Sequence, residues 1–562
     1  MNRSVIAAAA LLALPSALSA SPAQKIAGRI ERVTYDRGNV FDPRIPGEDI
    51  WLFRAANRIH IKTLERVVEH ENLLPPGSTW DPIHALETER NIRSLGFIRD
   101  AEVRPTPTAS GGVDLNIRTQ DAWTLRPTLG VGTEGGDNSF SLGVEENNLL
   151  GMGKTVGALH SQKGSERRKE ARYIDPRVWG TWHKLTTIYA TTDEGDEIGV
   201  RTDRPFFSFE APYASDVSWA RVNKVSNRYE NGEEFSEFKQ NFHTVRSEWA
   251  VRISRSDGFV QRLHIGTIYE RQRFFEKATT VSGTLPQDRT LSGPILGYSS
   301  IQPRYLKETD IDKMNRVEDF NLGNEFAAGV APILRSWGSD KDRLMFSAIT
   351  QQGLDLAEGK FLLGQVGTQG RLAENDNLEN ALLFANLNLF WKHSRPFPQT
   401  FVAHLEYNNA KDLDGENQLL LGGETGLRGY KNNSFTGSRT FLLNLENRFF
   451  YDKELLHLLY VGGVVFFDIG TTAKEGRKAG LDQFKSDVGL GLRLSGSRSS
   501  SGVVLRADVA YALNQGPGSN RWVVSIKAGQ AFNIFNSTNR SPLVRPDDAF
   551  SSGPVKNRLI RR

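Results

Sequence analysis

Four glycines surround one cation in Leu421-Gly422-Gly423-Glu424-Thr425-Gly426-Leu427-Arg428-Gly429-Tyr430. A guanidinium offers five donors in a rigid fork and grips a carboxylate with two of them at once. Glycine supplies tight turns at little steric cost. The chemistry this predicts is ion pairing that holds a loop. The best partner is Asp468, a lone acid in Val465-Phe466-Phe467-Asp468-Ile469-Gly470. A carboxylate in so apolar a strand needs a partner.

The other chemical-looking motifs lose their meaning in context. Gly130-Val131-Gly132-Thr133-Glu134-Gly135 fits a dinucleotide fingerprint, but an alternating strand follows where a helix N-terminus is needed. Asn148-Leu149-Leu150-Gly151-Met152-Gly153-Lys154-Thr155 ends like a phosphate loop but has Asn148 where the first glycine belongs. The ten histidines show no metal-ligand spacing, and there is no nucleophile elbow. Cysteine is absent, which removes both disulfides and a thiol nucleophile. The expectation is therefore no enzyme, no metal and no cofactor.

The elements that must position Arg428 fall into two textures. Residues 27–121 read as a small β-α-α-β-β module of roughly ninety residues. Gly28 to Tyr35 alternates as a strand, and Ile61 to Asn72 reads as a helix stopped by Pro75-Pro76-Gly77. Asp81 caps a second helix with Pro82 at its first position, and Gly96 ends it. Phe97 to Arg104 and Val113 to Arg118 are paired strands around Gly111-Gly112.

From Trp123 to Phe532 nearly every segment alternates with period two, as in Phe401 to Asn408 and Val503 to Leu513. One face is apolar over many strands, and no second apolar face exists to pack on it. The other face carries charges, which suits a wet lumen. Aromatics crowd strand ends at Phe206-Phe207, Phe274-Phe275, Phe449-Phe450-Tyr451 and Phe532 to Phe535. About twenty strands can be picked out by pattern, and they predict a transmembrane antiparallel β-barrel over 123–535. Arg428 lies in a long connection within it.

The chain opens with a basic start, an apolar run from Val5 to Leu14 and small residues to Pro22. That order predicts a signal peptide over 1–20, with cleavage after Ser19 or after Ala20. Mean hydropathy is −0.42, a value to which a β-barrel is blind. The net charge of +4 is too mild over this length to argue for nucleic acid. Residues 536–562 read as a polar C-terminal tail.

At these residues the chain resembles the Omp85 superfamily of outer-membrane assembly and translocation proteins. The module looks like a single POTRA domain. Leu427-Arg428-Gly429-Tyr430 resembles the family's loop motif, with Leu427 where Val or Ile is usual. Phe466 to Gly470 resembles the strand motif whose aspartate meets the loop arginine. Leu142-Gly143 through Gly153 resembles the second-strand region with its N-x-x-G-x-G turn, so Gly151, Gly153, Gly426 and Gly470 are turn glycines.

The resemblance implies sixteen barrel strands, with the surplus by pattern attributed to bent strands or loop hairpins. It implies a bacterial outer-membrane location with the module in the periplasm. It implies a client polypeptide, a lipid bilayer and an accessory periplasmic protein as partners. The client would add as a strand to an edge at Ala101, Glu102, Val103 and Arg104, or at Arg29 to Tyr35. The alternatives are a passive gated pore, or a surface scaffold or antigen that transports nothing.

Overall fold

The computed structural model describes residues 27–528, apart from 135–136, 164–165, 257, 375, 395–396, 475–479, 481–482, 501 and 519. The expected leader at 1–20, the aromatics Phe532 to Phe535 and the tail at 536–562 lie outside the described residues.

The N-terminal module contains β1 (Ile30–Gly38), α1 (Trp51–Ile59), α2 (Glu65–Glu69), α3 (Pro82–Ser94), β2 (Ile98–Pro107) and β3 (Val113–Asp121). The sheet order is β1-β3-β2, with β1 parallel and β2 antiparallel to the central β3. Its core joins Val68, Ile92 and Phe97 to the inward residues Val113, Leu115 and Ile117 of β3. Asp81 caps α3 by accepting from the Ile83 N–H at 2.8 Å.

Two features depart from the β-α-α-β-β expectation. Helix α1 is additional. It escapes a stripe search because it is apolar on two sides, with Phe53 buried inward while Trp51, Leu52 and Ile59 are exposed. The helix expected over Ile61 to Asn72 shrinks to α2. The Asp121 carboxylate accepts from the Thr63 N–H at 2.8 Å, and the Leu64 N–H donates to Gly151 O at 2.9 Å. These tertiary bonds hold residues 61–64 out of the helix.

The barrel wall begins with β4 (Leu125–Glu134), β5 (Asp137–Leu149), β6 (Lys154–Lys163), β7 (Glu166–Asp175), β8 (Lys184–Thr192), β9 (Gly195–Arg204) and β10 (Tyr213–Glu230). It continues with β11 (Glu233–Ser256), β12 (Phe259–Glu276) and β13 (Arg289–Ile301). The hairpin of β14 (Tyr305–Glu308) and β15 (Glu318–Asn321) stands apart from the wall. The wall resumes with β16 (Glu325–Ile333), β17 (Arg343–Ala357), β18 (Lys360–Ala373), β19 (Leu378–His393) and β20 (Gln399–Lys411). A second detached pair, β21 (Leu419–Leu421) and β22 (Phe435–Gly437), precedes β23 (Arg439–Phe450), β24 (Leu459–Ala473), β25 (Lys485–Gly496), β26 (Val504–Ala512) and β27 (Trp522–Ala528).

Among the described residues the wall closes between β27 and β4 and contains twenty strands. This corrects the sixteen implied by the family resemblance. The surplus segments are neither bent strands nor loop hairpins, because each is hydrogen-bonded to a neighbour on both sides. The two detached hairpins account for none of the twenty. Five wall strands follow the Arg428 connection, so the additional strands precede it.

The wall inverts the distribution of a water-soluble protein. Outward residues such as Val465, Leu490, Leu492 and Val524 are exposed and apolar, whereas inward Arg246, Glu248, Gln365, Asn388 and His404 are buried and polar. The aromatics at strand ends divide. Phe275 is exposed, but Phe274 turns inward against Phe238 at 5.7 Å between ring centroids. Phe207 stacks on Trp182 at the rim rather than facing outward.

The module sits across the mouth from which β4 departs. The Asn148 side chain donates to Thr63 Oγ1 at 2.9 Å and accepts from the Gly153 N–H at 2.6 Å, joining the β5–β6 turn to the Asp121 cluster. Gly151, at φ +74°, lies so close that a Cβ would stand 2.5 Å from Lys62 O. On the opposite flank Arg498, in the β25–β26 turn, pairs with Glu48 at 2.6 Å.

Burial pushes the Asp121 carboxyl up to about 6, against the opposing Thr63 N–H. An acid whose folded pKa exceeds its unfolded value of about 3.9 binds protons more tightly when folded. Its share of stability is therefore fullest near pH 4 and is lost as pH rises through about 6, by ~2–3 kcal/mol at most. His60, 3.9 Å away, is pushed down by burial and acts in the opposite sense as pH falls below about 6.5. Asp121→Asn isolates the acid's part: it is expected to remove the loss of module stability between pH 4.5 and 7. Pulse proteolysis of the full chain in detergent micelles reads this, and an unchanged slope would exclude Asp121 as its source.

Candidate functional site

The β20–β23 connection folds into the lumen from the mouth opposite the module and brings Arg428 against the inner wall. Arg428 is 2% exposed. Its Nε and Nη2 donate to the two oxygens of Asp468 on β24, at 2.8 and 2.7 Å. Its Nη1 donates to Glu446 Oε1 on β23 at 2.6 Å. The guanidinium lies over the Phe466 ring, 3.5 Å from the centroid. Asn444 completes the cradle, donating to Asp468 Oδ1 and Gly426 O, both at 2.7 Å.

The local sequence makes this approach possible. Inward positions on β23 and β24 alternate, so Asn444, Glu446, Phe466 and Asp468 share one patch of wall. Leu427 and Tyr430 are buried in a cluster with Leu421, Leu442 and Ala512. The Tyr430 hydroxyl lies 3.0 Å from Ser486 O and 3.2 Å from Asn514 O. Gly429 passes so near the wall that a Cβ would meet Asp487 Cβ at 2.5 Å. Gly426 adopts φ +110°, as a turn glycine should, whereas Gly470 is not in a turn: it lies within β24, paired with Leu442 and two residues from Asp468. The structure thus gathers Leu427, Arg428, Gly429, Tyr430, Gly426, Gly470 and Asp468. Gly151 and Gly153 lie at the other mouth, in the turn that docks on the module.

Sequence reasoning missed Glu446 and a second clamp of opposite polarity. At the start of the same loop Asp414 and Glu416 supply the carboxylates, and the wall supplies the cations. Arg371 on β18 reaches Asp414 at 2.5 and 3.0 Å, and Arg289 on β13 pairs with Glu416. The alternating acids of the loop and the inward register of Arg371 carried a signal, but nothing in the sequence says which wall strand a loop will reach. The β10–β11 hairpin adds backbone ties: Gln418 exchanges two hydrogen bonds with Tyr229, at 2.9 and 3.0 Å.

The segment between β13 and β16 enters the lumen from the module side. Its Ile311, Phe320 and Leu322 pack on Phe361, Phe390 and Val402 of the wall. A polar chain runs through it. Arg428 shares Glu446 with Arg448, whose Nε donates at 2.8 Å and whose other arm donates to Ile311 O. At the far end of the segment Lys307 donates to Glu89 at 2.5 Å, and Asp319 receives Arg93 Nη2 at 2.9 Å. Glu89 and Arg93 belong to α3.

That chain ends on the strand edge singled out from sequence. β2 is an edge of the module sheet, but its outward backbone groups are engaged. The Ala101 carbonyl accepts from Arg93 at 3.2 Å, and the Val103 N–H donates to Glu89 at 3.0 Å. Ala101 and Val103 are buried, while Glu102 and Arg104 pair with each other in solvent. The edge is occupied in this conformation at Ala101 and Val103, a fact invisible to sequence because the occupants, Glu89 and Arg93, come from α3.

No protein-family model matches the sequence, and no curated protein matches it. Solved structures do show similarity. CdiB from Acinetobacter baumannii is 13% identical with a TM-score of 0.46, covering 90% of this chain and 74% of that one. CdiB from Escherichia coli is 11% identical at 0.46, covering 90% and 76%. BamA from Haemophilus ducreyi lacking POTRA domains 1–3 is 12% identical at 0.36, covering 89% and 85%.

Removing one partner of a buried, hydrogen-bonded ion pair typically costs about 3–5 kcal/mol. Arg428→Ala is expected to destabilise the barrel by that order, and Arg428→Lys to recover only part, since one ammonium cannot reproduce the two-pronged grip. Urea unfolding in micelles, with Asp468→Asn completing a double-mutant cycle, measures the coupling. A coupling near zero would make the contact incidental. Joining Arg289→Gln to Arg371→Gln is expected to raise protease cleavage at Lys431 several-fold by loosening the loop at its start.

Proposed function

We propose that this chain is an outer-membrane protein of the Omp85 type that assists the insertion or translocation of client polypeptides. The observation that carries the reading is the Arg428 lock. It is a long loop drawn into a wide barrel and held by a buried guanidinium against Asp468 and Glu446. The outward apolar face supports a bilayer environment, since exposed apolar surface on this scale is unstable in water. The sheet order β1-β3-β2, with α2 and α3 sharing its core, supports a POTRA-like module, which this reading puts in the periplasm at the mouth it covers.

In this reading a client arrives as an extended segment and pairs with a module edge. Pairing at β2 requires Arg93 and Glu89 to release Ala101 O and Val103 N–H. The same two side chains hold Lys307 and Asp319, so capture frees the lumen hairpin. The hairpin meets Arg448, which shares Glu446 with Arg428. Client engagement is thereby coupled to the loop that closes the opposite mouth. Filling of the lumen by segments from both mouths argues against a passive open pore.

Depletion of the protein, or Arg428→Ala at matched barrel level, is expected to remove specific proteins from the outer-membrane or secreted fraction. Unchanged proteomes would sink the transport reading and leave a scaffold. The coupling has its own test. A short bismaleimide bridging Glu89→Cys and Lys307→Cys is expected to abolish client crosslinking at Val103, while the unbridged double variant retains it.

A further inference from the structure

Three turns at the module-side mouth each present a large apolar residue to solvent in a left-handed backbone conformation. Leu150 lies in the β5–β6 turn at φ +55°, Trp179 in the β7–β8 turn at φ +52°, and Leu456 in the β23–β24 turn at φ +54°. Trp179 is 96% exposed and Leu456 81%. Bulky residues rarely adopt this conformation, and none of the three is a glycine or asparagine site of convenience. A strained turn that pushes an indole or isobutyl group into water is explained if the group has something apolar to enter.

Helix α1 continues the same surface. At 100° per residue, Trp51, Leu52, Ala55 and Ile59 share one side of the helix, opposite Phe53, whose ring stacks on Phe41 at 4.1 Å. Trp51 is 73% exposed and Ile59 74%. Arg54 and Arg58 flank that side, with Arg54 also touching Asp49 at 3.2 Å. The helix adjoins the Leu456 turn, where Phe53 meets the His457 ring edge-on at 6.3 Å. Just after α1, Ile61 packs beside Gly151, next to Leu150. The Trp179 turn is tied to the module by Arg177, which donates to Glu71 at 2.5 Å. Leu456, α1, Ile61 with Leu150, and Trp179 thus form one arc along the mouth.

We propose that this arc is seated in the adjoining bilayer leaflet, so that the module is held against lipid rather than hanging free. The occupant is identified by continuity. Leu459, three residues from Leu456, opens β24, and its exposed apolar surface leads to Val465 on the outward wall. Indoles at the boundary and arginines beside an apolar helix face suit a layer of headgroups over acyl chains. The proposal rests on the membrane reading of the wall given above.

The chain contains no cysteine, so a single introduced thiol reports one place. Nitroxide labels at Trp51→Cys, Ile59→Cys, Trp179→Cys and Leu456→Cys would be compared with Thr106→Cys, exposed on β2, and Val465→Cys, on the outward wall. The full chain is reconstituted in phosphatidylethanolamine–phosphatidylglycerol liposomes. Collision with oxygen is measured relative to collision with a water-soluble nickel chelate. The arc sites are expected to show a ratio several-fold above Thr106 and approaching Val465. Arc sites equal to Thr106 while Val465 is protected would overturn this proposal alone. Water-like values at Val465 would overturn the membrane reading and this proposal with it. Protection that persists in lipid-free amphipol and rises with protein concentration would place a second copy on the arc and also overturn it.

Discussion

A charge carried into the interior of a wide barrel has to be paired, and the pairing of Arg428 organises the surrounding structure. Its two carboxylate partners come from adjacent strands, and the register of β23 against β24, with Asn444 opposite Asp468 and Glu446 opposite Phe466, presents both to one guanidinium. The loop backbone must come close enough for the fork to reach, which is why Gly429 lies against the wall. Glu446 is then shared with Arg448, and through Arg448 the far mouth is connected to the hairpin that enters from the module side.

The loop is held by two clamps of opposite sign. At its start it gives carboxylates to wall arginines, and at its tip it gives an arginine to wall carboxylates. A loop bearing both signs cannot slide along the lumen without placing like charges together, so its seat is specified as well as stabilised. Buried polar groups often serve this role of fixing one arrangement, since their net contribution to stability is offset by desolvation. The hairpin from the other mouth is seated differently, by Phe320 and Ile311 packed on aromatic wall residues. One obstruction is electrostatic and the other largely apolar.

Much of this was legible in the sequence for a simple reason. Side chains alternate across a strand, so period-two patterning reveals strands one at a time, and about twenty were readable. Sixteen came instead from family resemblance, and the hydrogen bonding of the wall sides with the pattern. Arg428 and Asp468 stood out because each is a lone charge in an unsuitable setting. Glu446 did not, because it sits among other polar inward residues. Helix α1 was hidden by being apolar on two faces, and residues 61–64 were misread because the bonds that unwind them come from Asp121 and Gly151.

The sequence by itself determined the strand alternation, the inverted burial of the wall, the small capped module and the isolated charges that needed partners. Those are properties of residue types at short spacing. Only the tertiary structure decided how many strands close the ring, which wall arginine meets which loop acid, and that the β2 edge is covered by Glu89 and Arg93. The side-chain contacts among these span from the 8 positions between Arg93 and Ala101 to the 127 between Arg289 and Glu416. Local periodicity carries no information about such distances, because ring closure and loop return are set by packing and pairing across the whole lumen.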